Sequence, residues 1–135
     1  MLSKLLFSTV AALALMASNV ALASQGDEVV GKYACKGNDP TTTPSAFTGN
    51  ITITQKGKQF IMAETDTAGD IVYSYNQLGI LRGDQFIMAF QQSNDLKTFG
   101  TQYMHISKHG QVLKGQFAYW GIPDQVGSEH CKKIS

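Results

Sequence analysis

The chain has 135 residues, of which 43% are hydrophobic and 16% are charged, so its length fits one folded domain and its composition does not predict disorder. The 11 basic and 10 acidic residues give a formal net charge of +1. Because this charge balance provides no basic excess to neutralise a row of phosphates, nucleic acid is excluded as an expected partner.

Residues 1–23 are predicted to be a signal peptide. Lys4 supplies the positive start, an almost wholly apolar run covers residues 5–17, and Ala21 and Ala23 are the small residues that precede a cleavage site. The apolar run is short for a bilayer span, so no membrane span is expected after cleavage. We therefore expect a secreted or periplasmic protein whose single domain occupies residues 24–135.

The rest of the chain is predicted to be all-β. Short runs rich in Ile, Val, Thr, Phe and Tyr alternate with turns that contain glycine, and no stretch has the apolar periodicity of a helix. The predicted strands are 29–36, 47–55, 59–64, 71–76, 85–92, 101–107, 112–120 and 126–132. The pentapeptide 59–63 recurs letter for letter at 85–89. This spacing predicts an eight-stranded antiparallel up-and-down meander that closes into a barrel, which removes exposed sheet edges.

The two cysteines, Cys35 and Cys131, lie near opposite ends of the domain. In an oxidising compartment such a pair predicts a disulfide, which here would tie the first strand to the last. Closing so long a loop would stabilise the fold by roughly 4–5 kcal/mol at most in the chain-entropy model. A redox or metal-binding pair is the alternative, although the two residues lack C-x-x-C spacing.

Motifs of known catalytic chemistry are missing from the sequence. There is no G-x-S-x-G elbow, no phosphate-binding glycine loop and no dinucleotide fingerprint. Ser128, Glu129 and His130 are adjacent, but neighbours in a strand point to opposite faces. Several carboxylates fall in or beside predicted turns, where solvated groups make poor acid–base catalysts. These are Asp66, Asp70, Asp84, Asp95 and Asp124. An enzyme is therefore the third hypothesis, behind two kinds of binding protein, with His105 or Glu129 as the residues on which activity would depend. No metal site is predicted.

A barrel of this size is wide enough either to be filled by its own side chains or to hold one small ligand. Aromatic rings with one histidine would suit a flat apolar molecule, and imidazole and tyrosine both serve as haem ligands. We therefore predict a small hydrophobic ligand, with haem as one candidate, and a filled barrel is the alternative. The predicted ligand-binding residues are Tyr73, Tyr75, Tyr103, His105, Phe117 and Trp120.

A surface-binding protein is the second functional hypothesis. Arg82, Gly83 and Asp84 spell the tripeptide that integrins recognise, at a predicted hairpin turn, although Gly and Asp are also ordinary turn residues. Together with loops 37–45 and 93–99, this turn would contact a host extracellular protein. The barrel interior would then be solid core.

Several segments carry a resemblance to known proteins. They are 33–37 (YACKG), 47–51 (FTGNI), 103–106 (YMHI), 110–115 (GQVLKG), Trp120 and 127–131 (GSEHC). On these segments the chain resembles small exported bacterial β-barrel proteins of intracellular pathogens such as Legionella, some of which are labelled fibronectin-binding. The resemblance implies a lipocalin-like or calycin-like barrel.

The chain also resembles bacterial inhibitors of host lysozyme in its size, its barrel form and its terminal cystine. The inhibitory loop of those proteins usually carries a Ser-Gly pair, whereas this chain has Ala68 before Gly69 at the nearest position.

Overall fold

The structure is a computed structural model that describes residues 25–135. The predicted signal peptide, residues 1–23, lies outside the described residues. Within residues 25–135, no helix is long and apolar enough to cross a membrane.

One short helix is followed by eight strands. The helix α1 is Gln25–Val29, and the strands are β1 Gly31–Asn38, β2 Ala46–Lys56, β3 Gln59–Ala68, β4 Ile71–Arg82, β5 Gln85–Gln92, β6 Phe99–Ser107, β7 Val112–Tyr119 and β8 Gly127–Lys133. The first predicted strand began two residues too early, because Val29 belongs to α1. The predicted β3 and β4 were too short, since alternation of buried and exposed residues continues unbroken to Ala68 in β3.

The strands form a closed barrel in which every strand pairs with its neighbours in the chain, and β1 pairs with β8. All pairs are antiparallel, which confirms the predicted eight-stranded meander. Two-residue turns at Gly57 and Gly83 join successive strands, and both glycines have positive φ values, 63° and 61°. A residue with a side chain adopts this conformation at a cost, so glycine suits these tight hairpins.

The disulfide between Cys35 and Cys131 fastens the seam where the first and last strands meet. The two residues face each other in the β1–β8 pairing, and their sulfurs are bonded in the structure. The predicted disulfide is therefore confirmed, and the alternative of a free redox or metal-binding pair does not apply to the bonded cysteines.

Because the strands alternate in direction, the connections fall at two ends of the barrel. We call the end that carries α1 the helix end. There the hydroxyl of Tyr33 donates to the carbonyl oxygen of Gly110 at 2.7 Å and lies 3.0 Å from that of Val29. Lys133 Nζ donates to the carbonyl oxygen of Glu28 at 2.8 Å. The contacts with Val29 and Glu28 hold α1 across this end of the barrel, and α1 covers the end.

The opposite end carries the longer connections, residues 39–45, 93–98 and 120–126, and we call it the loop end. Asp39 organises the first of these loops. Its Oδ1 accepts hydrogen bonds from the backbone nitrogen and the hydroxyl of Thr41, at 2.9 and 2.7 Å. The loop end is therefore ordered by side-chain hydrogen bonds, in contrast to the helix end, which α1 covers.

The barrel interior contains two hydrophobic clusters. The larger lies at the helix end and includes Phe60 and Phe86, whose rings meet edge to face with centroids 5.1 Å apart. These phenylalanines are equivalent residues of the repeated pentapeptide. The smaller cluster lies at the loop end and contains Phe47, Ala68, Tyr75, Phe90 and Phe117. Between the clusters lies a layer of buried polar side chains.

Candidate functional site

The polar layer is the feature of the interior that hydrophobic packing does not explain. Inward-facing positions of β3 run from Phe60 and Met62 through Glu64 and Asp66 to Ala68, so two acids interrupt an apolar face. Gln77 on β4, Gln102 on β6 and Glu129 on β8 complete the layer, and Asp39 is buried at the loop end above it. Buried polar groups of this kind are costly unless they are paired.

Three carboxylates converge in the layer. One oxygen from each of Glu64, Asp66 and Glu129 lies within 4.8 Å of an oxygen of both others. Two amides also join the cluster: Gln77 Nε2 donates to Glu64 Oε2, and Gln102 Nε2 donates to Glu129 Oε2. Gln77 on β4 therefore orients Glu64, and Gln102 on β6 orients Glu129.

Three oxygens in the layer accept no hydrogen bond from a described donor. They are Asp66 Oδ1, Gln77 Oε1 and Glu129 Oε1. Among residues 25–135 no lysine or arginine is buried, and none forms an ion pair with these carboxylates. The layer thus offers acceptor oxygens and negative charge without a protein cation to match them.

Burial and mutual repulsion change how these acids titrate. Burial, followed by the charges of Glu129 and Asp66, raises the pKa of Glu64 well above its usual range. Burial and the charge of Glu129 raise the pKa of Asp66 to about 7. Burial also raises the pKa of Glu129. Without a cation, the cluster therefore retains protons near neutral pH that solvated carboxyl groups would have lost.

Space for the Asp66 carboxylate comes from a glycine on the neighbouring strand. Gly49 on β2 faces Asp66 in the β2–β3 pairing, and a Cβ at this position would clash with Asp66 Oδ1. A side chain at Gly49 would therefore displace one of the three acids.

Aromatic rings form the wall of the site towards the loop end. Phe90 packs edge to face against Tyr75 and Tyr119, with ring centroids 5.7 and 5.3 Å away. The hydroxyl of Tyr119 donates to Asp39 Oδ2 at 2.6 Å, and the hydroxyls of Tyr75 and Tyr119 are 3.3 Å apart. Burial raises the pKa of Tyr75 to about 12, so its hydroxyl remains protonated. These tyrosines separate the acids from the loop end.

The cavity enclosed by the polar layer and the aromatic wall is small. It offers about 30 Å³ to the centre of a water molecule, which is room for roughly two waters. Pockets for drug-sized ligands are about 300–1,000 Å³. The interior therefore has no space for haem as it stands. Four acids, Asp39, Glu64, Asp66 and Glu129, also line the cavity. A small hydrophobic ligand therefore stays a prediction from the sequence.

Three of the six predicted ligand-binding residues lie together at the cavity, and the other three lie outside the barrel. Tyr75 and Phe117 are buried and line the cavity, and Tyr73 packs partly buried beside them. Tyr103 and His105 project from the outer face of β6, where Met104 takes the inward position. Trp120 is 76% exposed and stacks on Phe99 outside the barrel. Alternation placed Tyr103 and His105 on one face, but that face is the outer one.

The predicted interaction loops also separate. Arg82, Gly83 and Asp84 form the β4–β5 turn, as predicted, at the helix end. Loops 37–45 and 93–99 lie at the loop end, so the three segments do not form one surface. Asp84 Oδ2 is 3.2 Å from His105 Nδ1 on the neighbouring strand. The turn tripeptide is therefore engaged in a local contact on an exposed surface.

The acidic layer was not predicted because Asp66 was assigned to a solvated turn. In the predicted strand 59–64, Glu64 already shares a face with Phe60 and Met62, and a longer β3 would have added Asp66 to that face. Glu129 was correctly separated from its neighbours: it is buried, Ser128 is exposed, and His130 lies between these extremes. No local sequence pattern shows that Glu129 on β8 lies close to Glu64 and Asp66 on β3.

No protein-family model matches the chain, and no curated protein matches it. Two solved structures are similar in fold. A redesigned β-barrel has a TM-score of 0.69 and 5% identity over 82% of this chain and 96% of its own. The structure of EF1p2_mFAP2b bound to DFHBI has a TM-score of 0.69 and 8% identity, covering 82% of this chain and 97% of its own. At these identities the similarity supports the barrel fold alone.

Proposed function

We propose that the protein is an exported, non-catalytic binding protein that takes a positively charged ligand into the polar layer of its barrel. One observation carries the proposal: Glu64, Asp66 and Glu129 converge in a buried site where no described lysine or arginine neutralises them. Uncompensated carboxylates in an interior of low dielectric are strongly unfavourable, so protons or a bound cation must balance them.

The chemistry of the walls favours a cation over the hydrophobic molecule expected from the sequence. The carboxylates attract positive charge, and Gln77 Oε1 adds a neutral acceptor. The rings of Phe90, Phe117 and Tyr75 border the same cavity, and aromatic faces also attract cations. A neutral apolar ligand would leave the acids unpaired.

The route of entry is the loop end, because α1 covers the helix end. Tyr119 and Asp39 stand between the loops and the acids, joined by their 2.6 Å hydrogen bond. A ligand small enough for the cavity would pass these two side chains.

Export is supported by two features. The predicted signal peptide occupies residues 1–23, and a disulfide such as Cys35–Cys131 persists in oxidising compartments. The barrel is similar in fold to the solved structure of EF1p2_mFAP2b bound to DFHBI. This similarity is compatible with a role as a ligand carrier.

The proposal is tested by titrating purified, disulfide-bonded protein with three probes: calcium chloride, methylammonium chloride and haemin. We expect saturable one-to-one binding of at least one cation at about pH 8, where the carboxyls ionise most readily. Binding should be lost in Glu129→Gln, which retains an acceptor oxygen for Gln102, and kept in Asp124→Asn.

Asp124 is a matched control because it is exposed and has φ 66°, a conformation that asparagine also tolerates. Absence of binding by both cations would contradict the proposal. So would saturable haemin binding to a protein that binds neither cation.

A second candidate is a protein-binding surface, favoured by a different observation. Ile61, Leu78, Ile80, Ile87 and Tyr103 are exposed on the outer face of β3–β6. Cross-strand pairing makes them contiguous. Contiguous apolar patches often mark protein contacts.

We propose as this second candidate that the protein contacts a host extracellular protein, such as fibronectin or lysozyme, through this patch or the Arg82–Asp84 turn. Immobilised fibronectin and lysozyme provide the test. Binding should fall in Ile80→Lys if the patch is used and in Asp84→Asn if the turn is used. Unchanged binding by both variants, or no binding by the parent protein, would exclude this candidate.

A further inference from the structure

The proposed function leaves open which cation the polar layer accepts, and the donor atoms narrow the choice. All the atoms available to coordinate a cation are oxygens. They belong to the carboxylates of Glu64, Asp66 and Glu129 and to the side-chain amide of Gln77. Oxygen-only sites select hard cations such as Ca²⁺ and Mg²⁺ over metals that prefer nitrogen or sulfur. Cys35 and Cys131 are joined in the disulfide and offer no thiolate.

Gln77 supplies an observation independent of the acids. Its side chain is 4% exposed, it lines the cavity, and its Oε1 has no hydrogen-bond partner. Its Nε2 donates to Glu64 Oε2, which leaves Oε1 as the unpaired end of the amide. Leaving a buried amide oxygen unpaired is unfavourable, and a cation would satisfy it.

The separations and the volume fit one ion. Oxygens bound to the same Ca²⁺ lie 2.3–2.6 Å from it, so two of them cannot be more than about 5 Å apart. One oxygen from each of the three carboxylates lies within 4.8 Å of the other two. The cavity of about 30 Å³ leaves room for one ion with roughly one water.

We propose, building on the cationic ligand argued above, that the barrel interior is a calcium site formed by Glu64, Asp66, Glu129 and the amide oxygen of Gln77. Ca²⁺ fits better than Mg²⁺ for a reason of hydration. Mg²⁺ demands near-octahedral geometry and usually keeps several waters, whereas Ca²⁺ tolerates irregular sets of protein oxygens. The cavity cannot hold several waters.

Calcium must compete with protons for these acids. The titratable groups that face the site are Glu64 and Asp66 on β3, Asp39 after β1, Tyr75 on β4, Tyr119 on β7 and Glu129 on β8. The other wall residues on β2, β5 and β6 do not titrate. Calcium binding should therefore release protons, as metal binding to carboxyl groups does in general.

The test uses exported, disulfide-bonded protein that has been treated with EDTA and desalted. Isothermal titration with calcium chloride should give one site per chain. The affinity should fall on the order of 100-fold or more in Asp66→Asn and Glu129→Gln, given that loss of even an outer-shell partner costs 10–100-fold. Asp124→Asn is the matched control and should bind like the parent. Equal concentrations of Mg²⁺ should not displace Ca²⁺.

Two further measurements separate a metal site from a structural role. Asp66→Asn and Glu129→Gln should fold in EDTA, with unfolding midpoints at or above that of the parent, yet gain nothing from added calcium. Gly49→Ala removes no ligand, but its Cβ would clash with Asp66 Oδ1 and would lie 2.7 Å from the carbonyl oxygen of Thr65, so it should weaken calcium binding and also lower the unfolding midpoint in EDTA.

Each outcome decides between the proposals. If calcium does not bind while methylammonium does, the calcium site is wrong and the cationic-ligand function stands. If neither binds to folded protein, both are wrong, and protons alone balance the acids. Calcium binding that persists in Asp66→Asn and Glu129→Gln would place the ion elsewhere and overturn the site.

Discussion

The acidic layer should make the metal-free protein less stable as the pH rises, and replacing Asp66 by asparagine should remove part of this dependence. The pKa of Asp66 is raised from its ordinary value of 3.8 to about 7, chiefly by burial. Because the folded value lies above the unfolded one, the folded protein binds more protons in this interval. The contribution of Asp66 to stability is therefore fully present below about pH 3.8 and is lost as the pH rises to about 7.

The size of the effect follows from the same two values. Their difference corresponds to about 4 kcal/mol at 1.36 kcal/mol for each tenfold change in proton affinity. This is an upper figure, because the three acids share protons and the interior relaxes when they ionise. Glu64 and Glu129 are shifted in the same direction and add to the trend.

Asparagine at position 66 keeps the shape of the side chain, carries no charge and brings a donor into a cluster rich in acceptors. We expect Asp66→Asn to be about 2–4 kcal/mol more stable than the parent at about pH 8, with the advantage shrinking towards about pH 4. The assay is guanidinium unfolding in EDTA, followed by circular dichroism, with the disulfide intact. Asp124→Asn should follow the parent at every pH.

A parent protein whose stability does not change between about pH 4 and about pH 8 would refute this reasoning. So would an Asp66→Asn variant that is less stable than the parent at about pH 8. Either result would mean that the folded protein already compensates the ionised acids.

Three further predictions concern the frame that holds the site. Replacing Cys35 and Cys131 together by alanine should lower the free energy of unfolding by up to about 5 kcal/mol, because the bridge joins residues 96 positions apart. The shift of the guanidinium midpoint measures this loss. Tyr33→Phe should cost about 1–3 kcal/mol in the same assay, since it leaves the carbonyl oxygen of Gly110 without its donor. An unchanged midpoint would show that water replaces the hydroxyl. Phe86→Ala should cost about 3–5 kcal/mol, whereas Ile87→Ala on the outer face should change the stability by only about 0.5 kcal/mol. Equal losses in thermal unfolding would contradict the assigned faces.

The fold was largely predictable because its signals are local. Hairpins of glycine turns and alternating strands specify an up-and-down meander, and closure follows from the number of strands and the need to remove the edges. The disulfide was predictable for a related reason, since the first and last strands of a closed meander must be neighbours. The same local rules predicted too short a β3. Asp66, which lies between Thr65 and Thr67, points inward, but composition alone assigns an aspartate here to a turn.

The candidate site was only partly predictable. Tyr75 and Phe117 were identified from alternation, which shows that residues share a face but does not say whether that face points inward. Tyr103 and His105 face outward because Met104, which lies between them, is buried in the apolar interior. Which of the two faces is buried depends on the pairing with the neighbouring strands.

By itself the sequence determined the strands, the turns, the closing disulfide and the balance of charge. Only the tertiary structure decided that Glu64 and Asp66 meet Glu129, which is 63 positions further along the chain than Asp66. The physical reason is that the register of a closed barrel sets which inward side chains share a level, and this register is a property of all eight pairings together. The acids were visible in the sequence, but their convergence was not.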